Sequence, residues 1–240
     1  MHLYLIRHAQ SVNNALFASG AGDQVRSHDP ELTRLGYQQA QRLADFLAGG
    51  DPNQPTDRGD SQDRLGFGLT HLYASLMLRA VATGAILAER LGLPLQAWID
   101  WHEEGGIYLD GDDGQRLGQP GPGRSYFARQ YPGLVLPEAL HDTGWWNLPF
   151  EELDDRPVRA RRVLVRLIEV HGGTNDRVAV ITHGGFYNHF MGALLDALPP
   201  YKLSYLMNNT GISRIILTPE GHYLVYQNRC EHLPAGMVTY

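Results

Sequence analysis

Residues 3–11 read LYLIRHAQS, and this stretch near the N-terminus decides both the fold and the candidate site. The apolar run over residues 3–6 predicts a short buried strand that ends abruptly at Arg7 and His8. Open α/β sheets bind their ligands at the carboxyl ends of the strands, so these two side chains stand where a ligand would be held. Arginine offers a fixed fork of donors to phosphate oxygens, and its charge keeps a neighbouring histidine neutral and nucleophilic. The stretch therefore indicates a site for a phosphoryl group.

The composition is that of a globular protein with a mildly acidic surface. The chain has 240 residues, of which 43% are hydrophobic and 19% charged, and this suits one domain over residues 1–240. A formal charge of −6 argues against a nucleic-acid partner. The single cysteine, Cys230, excludes an intrachain disulfide framework and a zinc site built on cysteines. Because no apolar run reaches the roughly 20 residues that cross a bilayer and no signal peptide precedes the first strand, we expect a cytoplasmic protein with no membrane partner.

Strand-like and helix-like segments alternate along the chain, and this pattern predicts an α/β fold built from βα units. The predicted strands cover residues 2–6, 71–75, 95–99 and 178–182, with a hairpin over 212–217 and 223–227. The predicted helices cover residues 35–47, capped by Thr33, and 79–91, 151–170 and 186–195. Residues 49–66 are rich in Asp, Pro, Gly and Gln and predict an exposed connection. The segment at about 101–150 has little periodicity but many aromatic residues, so we expect an ordered insertion that acts as a lid.

A second predicted strand also ends in a histidine. Residues 178–185 read VAVITHGG, so His183 follows a buried strand, and two glycines then permit a tight turn and close backbone approach, as at Gly184. If the strands are parallel, His8 and His183 share one edge of the sheet. Arg79 opens a predicted helix after the strand over 71–75, and an arginine at a helix N-terminus would reinforce an anion site.

Several motifs along the chain resemble those of one family, the histidine phosphatase superfamily of phosphoglycerate-mutase-like proteins. The family's Arg-His-Gly appears as Arg7-His8-Ala9, and Asn14 matches its following asparagine. The other matching segments are ELTRLGYQQA over residues 31–40, SLMLRAVAT over 75–83, THG over 182–184 and NTGI over 209–212. The resemblance implies a three-layer αβα fold in which a mostly parallel open sheet carries helices on both faces.

The resemblance also implies roles for individual residues. His8 would attack phosphorus to form a phosphohistidine, while Arg7, Arg79 and His183 would hold the transferred group and Asn14 would add a neutral donor. Two candidates for the proton donor follow the third strand, Glu103 and Glu104. We favour Glu103 for its spacing to Gly106, and a dianionic phosphate and an apolar wall beside it would favour the protonated acid. Gln10 and Ser11 follow the nucleophile and could line the pocket, although loop position alone does not separate a binding role from a structural one. No metal or cofactor is required.

The resemblance covers two kinds of enzyme, phosphatases and mutases, which differ in the molecule that reacts with the phosphohistidine. True mutases carry Phe-x-Gly-Trp-x-Asp where this chain has GDQVRSHD over residues 22–29, and Glu-Arg-x-Tyr-Gly where it has HEEGGIY over 102–108. Both departures favour a histidine acid-type phosphatase, a phosphoric monoester hydrolase acting on a small phosphorylated metabolite. The alternatives are a phosphoglycerate-type phosphomutase and a catalytically weak relative that binds phosphate ligands or regulates. Arg26, Arg116 and Arg124 are possible contacts for a second anionic group, but surface charge is the preferred interpretation.

Overall fold

The computed structural model describes residues 1–20, 26–50 and 60–240. Its strands are β1 (His2–Arg7), β2 (His71–Ala74), β3 (Leu95–Ala97), β4 (Tyr108–Asp110), β5 (Arg116–Gly118), β6 (Leu134–Val135), β7 (Arg177–Thr182), β8 (Ile212–Thr218) and β9 (Gly221–Arg229). Its α-helices are α1 (Val12–Ala18), α2 (Arg34–Leu47), α3 (Leu78–Leu91), α4 (Arg124–Gln130), α5 (Asp155–His171) and α6 (Gly184–Leu194). Short 3-10 turns cover Ile99–Trp101 and Ala235–Met237.

Seven of these strands form one sheet in the order β6-β3-β2-β7-β1-β8-β9. β1 pairs in parallel with β7, and β2 pairs in parallel with both β7 and β3, so the predicted mostly parallel α/β sheet is confirmed. β8 and β9 complete the other edge as the predicted antiparallel hairpin. Because β1 and β7 are parallel neighbours, the residues that follow them meet at one edge of the sheet.

Helices cover both faces of the sheet, as the three-layer prediction requires. Successive residues of a strand point to opposite faces, and β1 shows this alternation. Its Tyr4 and Ile6 pack into a core shared with α2 and α3, whereas Leu3 and Leu5 pack into a second core shared with α5 and α6. All four of these side chains are fully buried, which explains why the sequence reads as a continuous apolar run.

The start of α2 holds the loop that follows His8. Thr33 caps the helix as predicted, since its hydroxyl accepts the N–H of Gly36 at 3.0 Å. A Cβ at position 36 would lie 2.1 Å from the carbonyl oxygen of Gln10, so only glycine permits this approach. One turn later the Oε1 of Gln39 accepts the backbone N–H of Gln10 at 2.8 Å. The Gly-x-x-Gln spacing therefore fixes the backbone next to the nucleophile candidate.

The structure differs from the predictions in several places, and the helix predicted over 151–170 begins only at Asp155. Helix α1 was not predicted, because it has seven residues and none of them is buried, so it carries no apolar stripe. The predicted strand over 95–99 ends at Ala97. Of the predicted connection over 49–66, residues 51–59 lie outside the described residues, and Asp63 is buried rather than exposed.

The segment at about 101–150 contains more regular structure than its composition indicated. It forms the β4–β5 hairpin and α4, and β6 joins the main sheet beside β3. These strands are only two or three residues long, too short for an alternating pattern to be recognised. Trp101, Trp145 and Trp146 are buried in the cores, so part of the segment belongs to the body of the domain. Its action as a lid stays a prediction. Among the described helices, none is long and apolar enough to cross a membrane.

Candidate active site

A polar cavity of about 460 Å³ opens at the edge of the sheet where β1 and β7 end. Seven of the nine residues singled out from the sequence as catalytic or substrate-binding line it: Arg7, His8, Ser11, Asn14, Arg79, Glu103 and Gly184. The remaining lining residues are Asn13, Arg26, His28, Pro30, Glu104, Gly106, Tyr108, Gly185, Asn188 and Tyr240. The cavity thus brings together residues that are distant in the chain, at the edge where the topology places ligands.

His8 is held in one tautomer by its own backbone. Its Nδ1 lies 2.7 Å from the carbonyl oxygen of Ala9, and a carbonyl only accepts, so Nδ1 carries the ring proton. The other nitrogen, Nε2, therefore keeps its lone pair, and it accepts a hydrogen bond from Nε of Arg79 at 3.1 Å. Burial, reinforced by the charges of Arg79 and Arg7, holds the pKa of His8 well below its ordinary value of 6.5. The imidazole is neutral, and its lone pair lies on Nε2.

The two arginines reach the cavity from different elements. Arg7 is the last residue of β1, and its guanidinium donates to the carbonyl of Met207 and lies 4.7 Å from the centre of the Tyr240 ring. The Nε of Arg7 is buried and has no partner among the described residues. Arg79 lies in the first turn of α3 and is 9% exposed. Burial lowers the pKa of both arginines, and the Glu103 carboxylate acts in the opposite direction on each.

Asp29 stands behind Arg79 and was not identified from the sequence as a site residue. Its Oδ1 accepts the N–H of Leu78 at 3.0 Å, at the start of α3, and lies 3.8 Å from a terminal guanidinium nitrogen of Arg79. Burial raises the pKa of Asp29 to about 7, although the charge of Arg79 opposes the shift. Asp29 lies two residues before the matching motif over 31–40, and that position is the signal that could have identified it.

His183 lies against His8 and not on the cavity wall. The two ring centroids are 5.0 Å apart, and His183 is fully buried. Its Nε2 lies 3.0 Å from the hydroxyl of Ser75, the residue that follows β2, while its Nδ1 has no partner among the described residues. Burial, with the charges of Arg79 and His8, holds the pKa of His183 well below its ordinary value. A buried ring nitrogen without a partner beside His8 is a group that a ligand could satisfy.

Glu103 and Glu104 both line the cavity, but their surroundings differ. The Glu103 carboxylate accepts the backbone N–H groups of Gly185 at 3.1 Å and Phe186 at 2.7 Å, in the first turn of α6, and that of Glu104 at 2.9 Å. A Cβ at position 185 would lie 2.6 Å from this carboxylate, which explains the second glycine after His183. Instead of the apolar wall expected from the sequence, three backbone N–H donors surround the Glu103 carboxylate. Glu104 pairs with Arg156 at 2.8 Å and with His189 at 3.1 Å.

The three residues predicted to bind substrate after His8 have different environments. Asn14 and Ser11 line the cavity and cap α1 together, since each side chain accepts the backbone N–H of the other. Asn209 also donates to the Oδ1 of Asn14 at 3.2 Å and to the carbonyl of His8 at 3.1 Å. Gln10 does not line the cavity, because its side chain turns away to accept from the hydroxyl of Thr33 at 2.7 Å.

A family model described as the histidine phosphatase superfamily (branch 1) matches residues 3–56 and 61–229. The chain belongs to this superfamily. The resemblance seen in the motifs is thereby confirmed. The chain has no match among curated protein sequences.

Solved structures with the same fold include several phosphatases. A mutant phosphoserine phosphatase from Entamoeba histolytica in complex with phosphoserine is 18% identical, with a TM-score of 0.59, and the alignment covers 97% of this chain and 99% of that one. A putative alpha-ribazole-5'-P phosphatase from Escherichia coli is 17% identical, with a TM-score of 0.62 and coverage of 95% and 97%. A mycobacterial glucosyl-3-phosphoglycerate phosphatase in complex with VO3 is 20% identical, with a TM-score of 0.54 and coverage of 95% and 98%.

In this member of the superfamily, the structure separates the three arginines that were considered for a second anionic group. Arg26 lines the cavity and donates to the hydroxyl of Tyr108 at 3.1 Å. Arg124 instead donates to the carbonyl of Leu140 at 2.8 Å, and Arg116 lies half-exposed beside Asp110. Sequence reasoning missed Tyr108 as a lining residue because it lies in a two-stranded hairpin with no periodic signal.

Proposed function

We propose that this protein is a metal-independent phosphomonoester hydrolase that works through a phosphohistidine on His8. The observation that carries the proposal is the state of His8: Nδ1 is bound to the Ala9 carbonyl, and Nε2 is unprotonated, next to Arg79 and inside the cavity. In the first step Nε2 attacks phosphorus and the bond from phosphorus to the ester oxygen breaks, so the leaving alcohol takes up a proton. In the second step water attacks phosphorus, the bond to Nε2 breaks and phosphate leaves.

Positive charge and donors surround the position that the phosphoryl group would take. Arg7 has an unpartnered Nε, Arg79 would exchange its bond to Nε2 for bonds to phosphate oxygens, and His183 has an unpartnered Nδ1. These groups are buried and held by the fold, so they need little reorganisation as charge develops on the equatorial oxygens. Electrostatic stabilisation by preplaced donors is the main source of catalysis in phosphoryl transfer of this kind.

Glu103 is the proposed proton donor, and three backbone N–H groups hold its carboxylate at the cavity wall. In the proposed cycle the proton enters with the substrate, whose second phosphate ionisation lies near pH 6. Glu103 passes that proton to the leaving alcohol and takes one from the attacking water in the second step. Glu104 is engaged with Arg156 and His189 and serves as the matched comparison.

The cavity supports a small phosphorylated metabolite as substrate. Its volume of about 460 Å³ and its polar lining fit a phosphate joined to a small polar group. Arg26 at its wall favours molecules with a second negative group, and a phosphoglycerate-type mutase would also use such a contact. Hydrolysis remains the proposal, because the segments that distinguish true mutases do not match.

The decisive experiment is trapping the phosphoenzyme. Mixing the protein with a ³²P-labelled monoester and quenching in alkali should leave label on His8, and His8→Ala should abolish both label and aryl-phosphate hydrolysis without loss of folding. Glu103→Gln should slow the hydrolysis of alkyl phosphates far more than that of p-nitrophenyl phosphate, whose leaving group needs no proton. Glu104→Gln should not produce this difference between the two substrates. No turnover on a broad panel of monoesters would favour a binding or regulatory protein. Isomerisation of phosphoglycerate that exceeds phosphate release would favour a mutase.

A further inference from the structure

A cluster of side chains of metal-ligating types lies at the amino-terminal ends of the parallel strands, at the opposite end from the cavity. His71 is the first residue of β2, His171 is the last residue of α5, and Asp176 immediately precedes β7. One ligand atom from each residue lies within 4.8 Å of the other two. Ser75, which contacts His183, lies four residues beyond His71, so the two sites are separated by about 13 Å of extended strand.

The hydrogen bonds of the two histidines are those that ligating histidines normally make. Nδ1 of His171 lies 2.8 Å from Oδ2 of Asp176, and its Nε2 lies 3.1 Å from the hydroxyl of Tyr73. Nδ1 of His71 lies 2.9 Å from the hydroxyl of Thr70. A histidine that binds a metal through one nitrogen usually donates the other N–H to an oxygen, which fixes the ring and its tautomer. Tyr73 and Thr70 provide those oxygens.

Burial and access also suit a bound ion. The His171 ring is 2% exposed, so its position is fixed by packing. The Asp176 side chain is 27% exposed and His71 is half-buried, so solvent reaches the cluster and water can complete the coordination. The cluster joins the start of two neighbouring strands to the end of a helix.

We propose that His71, His171 and Asp176 form a binding site for a divalent transition-metal ion such as Zn²⁺. Two imidazoles and one carboxylate are a donor set that suits zinc better than magnesium or calcium, which prefer oxygen alone. Bonds of about 2.1 Å in a tetrahedron separate ligand atoms by about 3.4 Å. On binding, the present distance of 2.8 Å between Nδ1 of His171 and Oδ2 of Asp176 would lengthen slightly, and the longer distances between the other ligand atoms would shorten.

Binding would change the tautomer of His171 and leave its net charge unchanged. The Nδ1 proton, now shared with Asp176, leaves, and Nε2 takes one up and donates it to the hydroxyl of Tyr73. Because the site is remote from the cavity, the ion would stabilise the fold by linking β2, α5 and β7, and it would take no part in phosphoryl transfer.

Calorimetric titration of chelator-treated full-length protein with ZnCl₂ tests the proposal. One ion per chain should bind, with a saturable rise in the melting temperature, and His71→Gln and Asp176→Asn should each abolish both effects. Both variants should retain aryl-phosphate hydrolysis and, without zinc, a cooperative unfolding transition. Tyr73→Phe should weaken binding by about 10-fold.

Two controls separate this site from other zinc-binding groups. His8→Ala, which removes the imidazole of the cavity, and Cys230→Ser should bind zinc as the unmodified protein does. Absence of saturable binding would overturn the proposal, and so would binding that is lost in His8→Ala but kept in His71→Gln. Because the readouts are binding and melting, the result does not depend on whether the protein hydrolyses phosphoesters.

Discussion

The substitution Asp63→Asn should destabilise the protein strongly, because among the described residues the Asp63 carboxylate is the counter-charge of two buried arginines, Arg177 and Arg214. Its side chain is 0% exposed and pairs with Arg177 and with Arg214, the latter at 3.0 Å. Tyr4 donates to its Oδ1 at 2.9 Å and Tyr226 to its Oδ2 at 2.7 Å. Asparagine keeps the shape and tolerates the backbone φ of 48° at this position, so the change removes the charge and replaces one of the two accepting oxygens by an NH2 donor.

The expected loss is about 3–5 kcal/mol of unfolding free energy, the usual cost of leaving buried partners without their counter-charge. Arg177 and Arg214 have side chains that are 8% and 1% exposed, so water cannot replace the carboxylate. In a chain of this length the loss corresponds to a fall of roughly 10 °C in melting temperature. Equilibrium unfolding in urea at pH 7 measures the free energy directly.

Asp45→Asn provides the matched control. Asp45 pairs with Arg90 at 2.8 Å, but the two side chains are 59% and 50% exposed, so its loss should cost less than about 0.5 kcal/mol. If Asp63→Asn costs no more than Asp45→Asn, the buried charges do not hold the 60–70 loop to the sheet, and the reasoning from burial is wrong.

Three further predictions concern the cavity. Arg79→Lys should lower kcat/KM by about 100- to 1,000-fold, because lysine cannot reproduce the Nε contact to His8. The control Arg90→Lys, on the exposed face of the same helix, should change kcat/KM less than twofold, and equal effects of the two substitutions would contradict the role of Arg79. Because the pKa of His8 lies well below 6.5, the ring stays neutral as the pH falls, so kcat/KM corrected for substrate ionisation should hold through pH 6.5; an acid limb centred there would refute a buried neutral nucleophile. Arg26→Ala should raise the KM for 3-phosphoglycerate about 3- to 10-fold and leave the KM for p-nitrophenyl phosphate unchanged, whereas the control Arg129→Ala should change neither. Equal changes in KM for both substrates would exclude a second anion contact.

The sequence predicted the part of the fold in which local pattern and tertiary environment agree. β1 and β7 are buried on both faces, so their apolar runs, and the Arg-His and His-Gly that follow, were visible without a structure. The start of α2 was predictable for a similar reason, because Thr33 is a local cap. The strand and helix pattern likewise placed Arg79 at the start of its helix, and the structure has it in the first turn.

The parts that could not be predicted depend on contacts between distant segments. Helix α1 has no buried residue, and its first turn is fixed by the mutual capping of Ser11 and Asn14, which Asn209 supports from far along the chain. Asp63 lies in a stretch whose composition is typical of exposed loops, and only the two arginines and two tyrosines around it explain its burial. No local period records such an arrangement.

The charges of the cavity explain why a phosphate dianion would bind there and a neutral molecule would not. Burial lowers the pKa of Arg7 and Arg79, so each guanidinium gains from a negative neighbour, and Glu103 supplies one such charge to both. Asp29 compensates Arg79 only in part, since its pKa of about 7 leaves a sizeable fraction protonated at neutral pH. Positive charge thus exceeds negative charge around a neutral His8, and an N–H of Arg7 and a ring nitrogen of His183 remain without a partner among the described residues. A phosphoryl group would satisfy both the charge and these nitrogens, and in the proposed mechanism Arg79 would turn from Nε2 of His8 to the phosphate oxygens, which frees that nitrogen to attack.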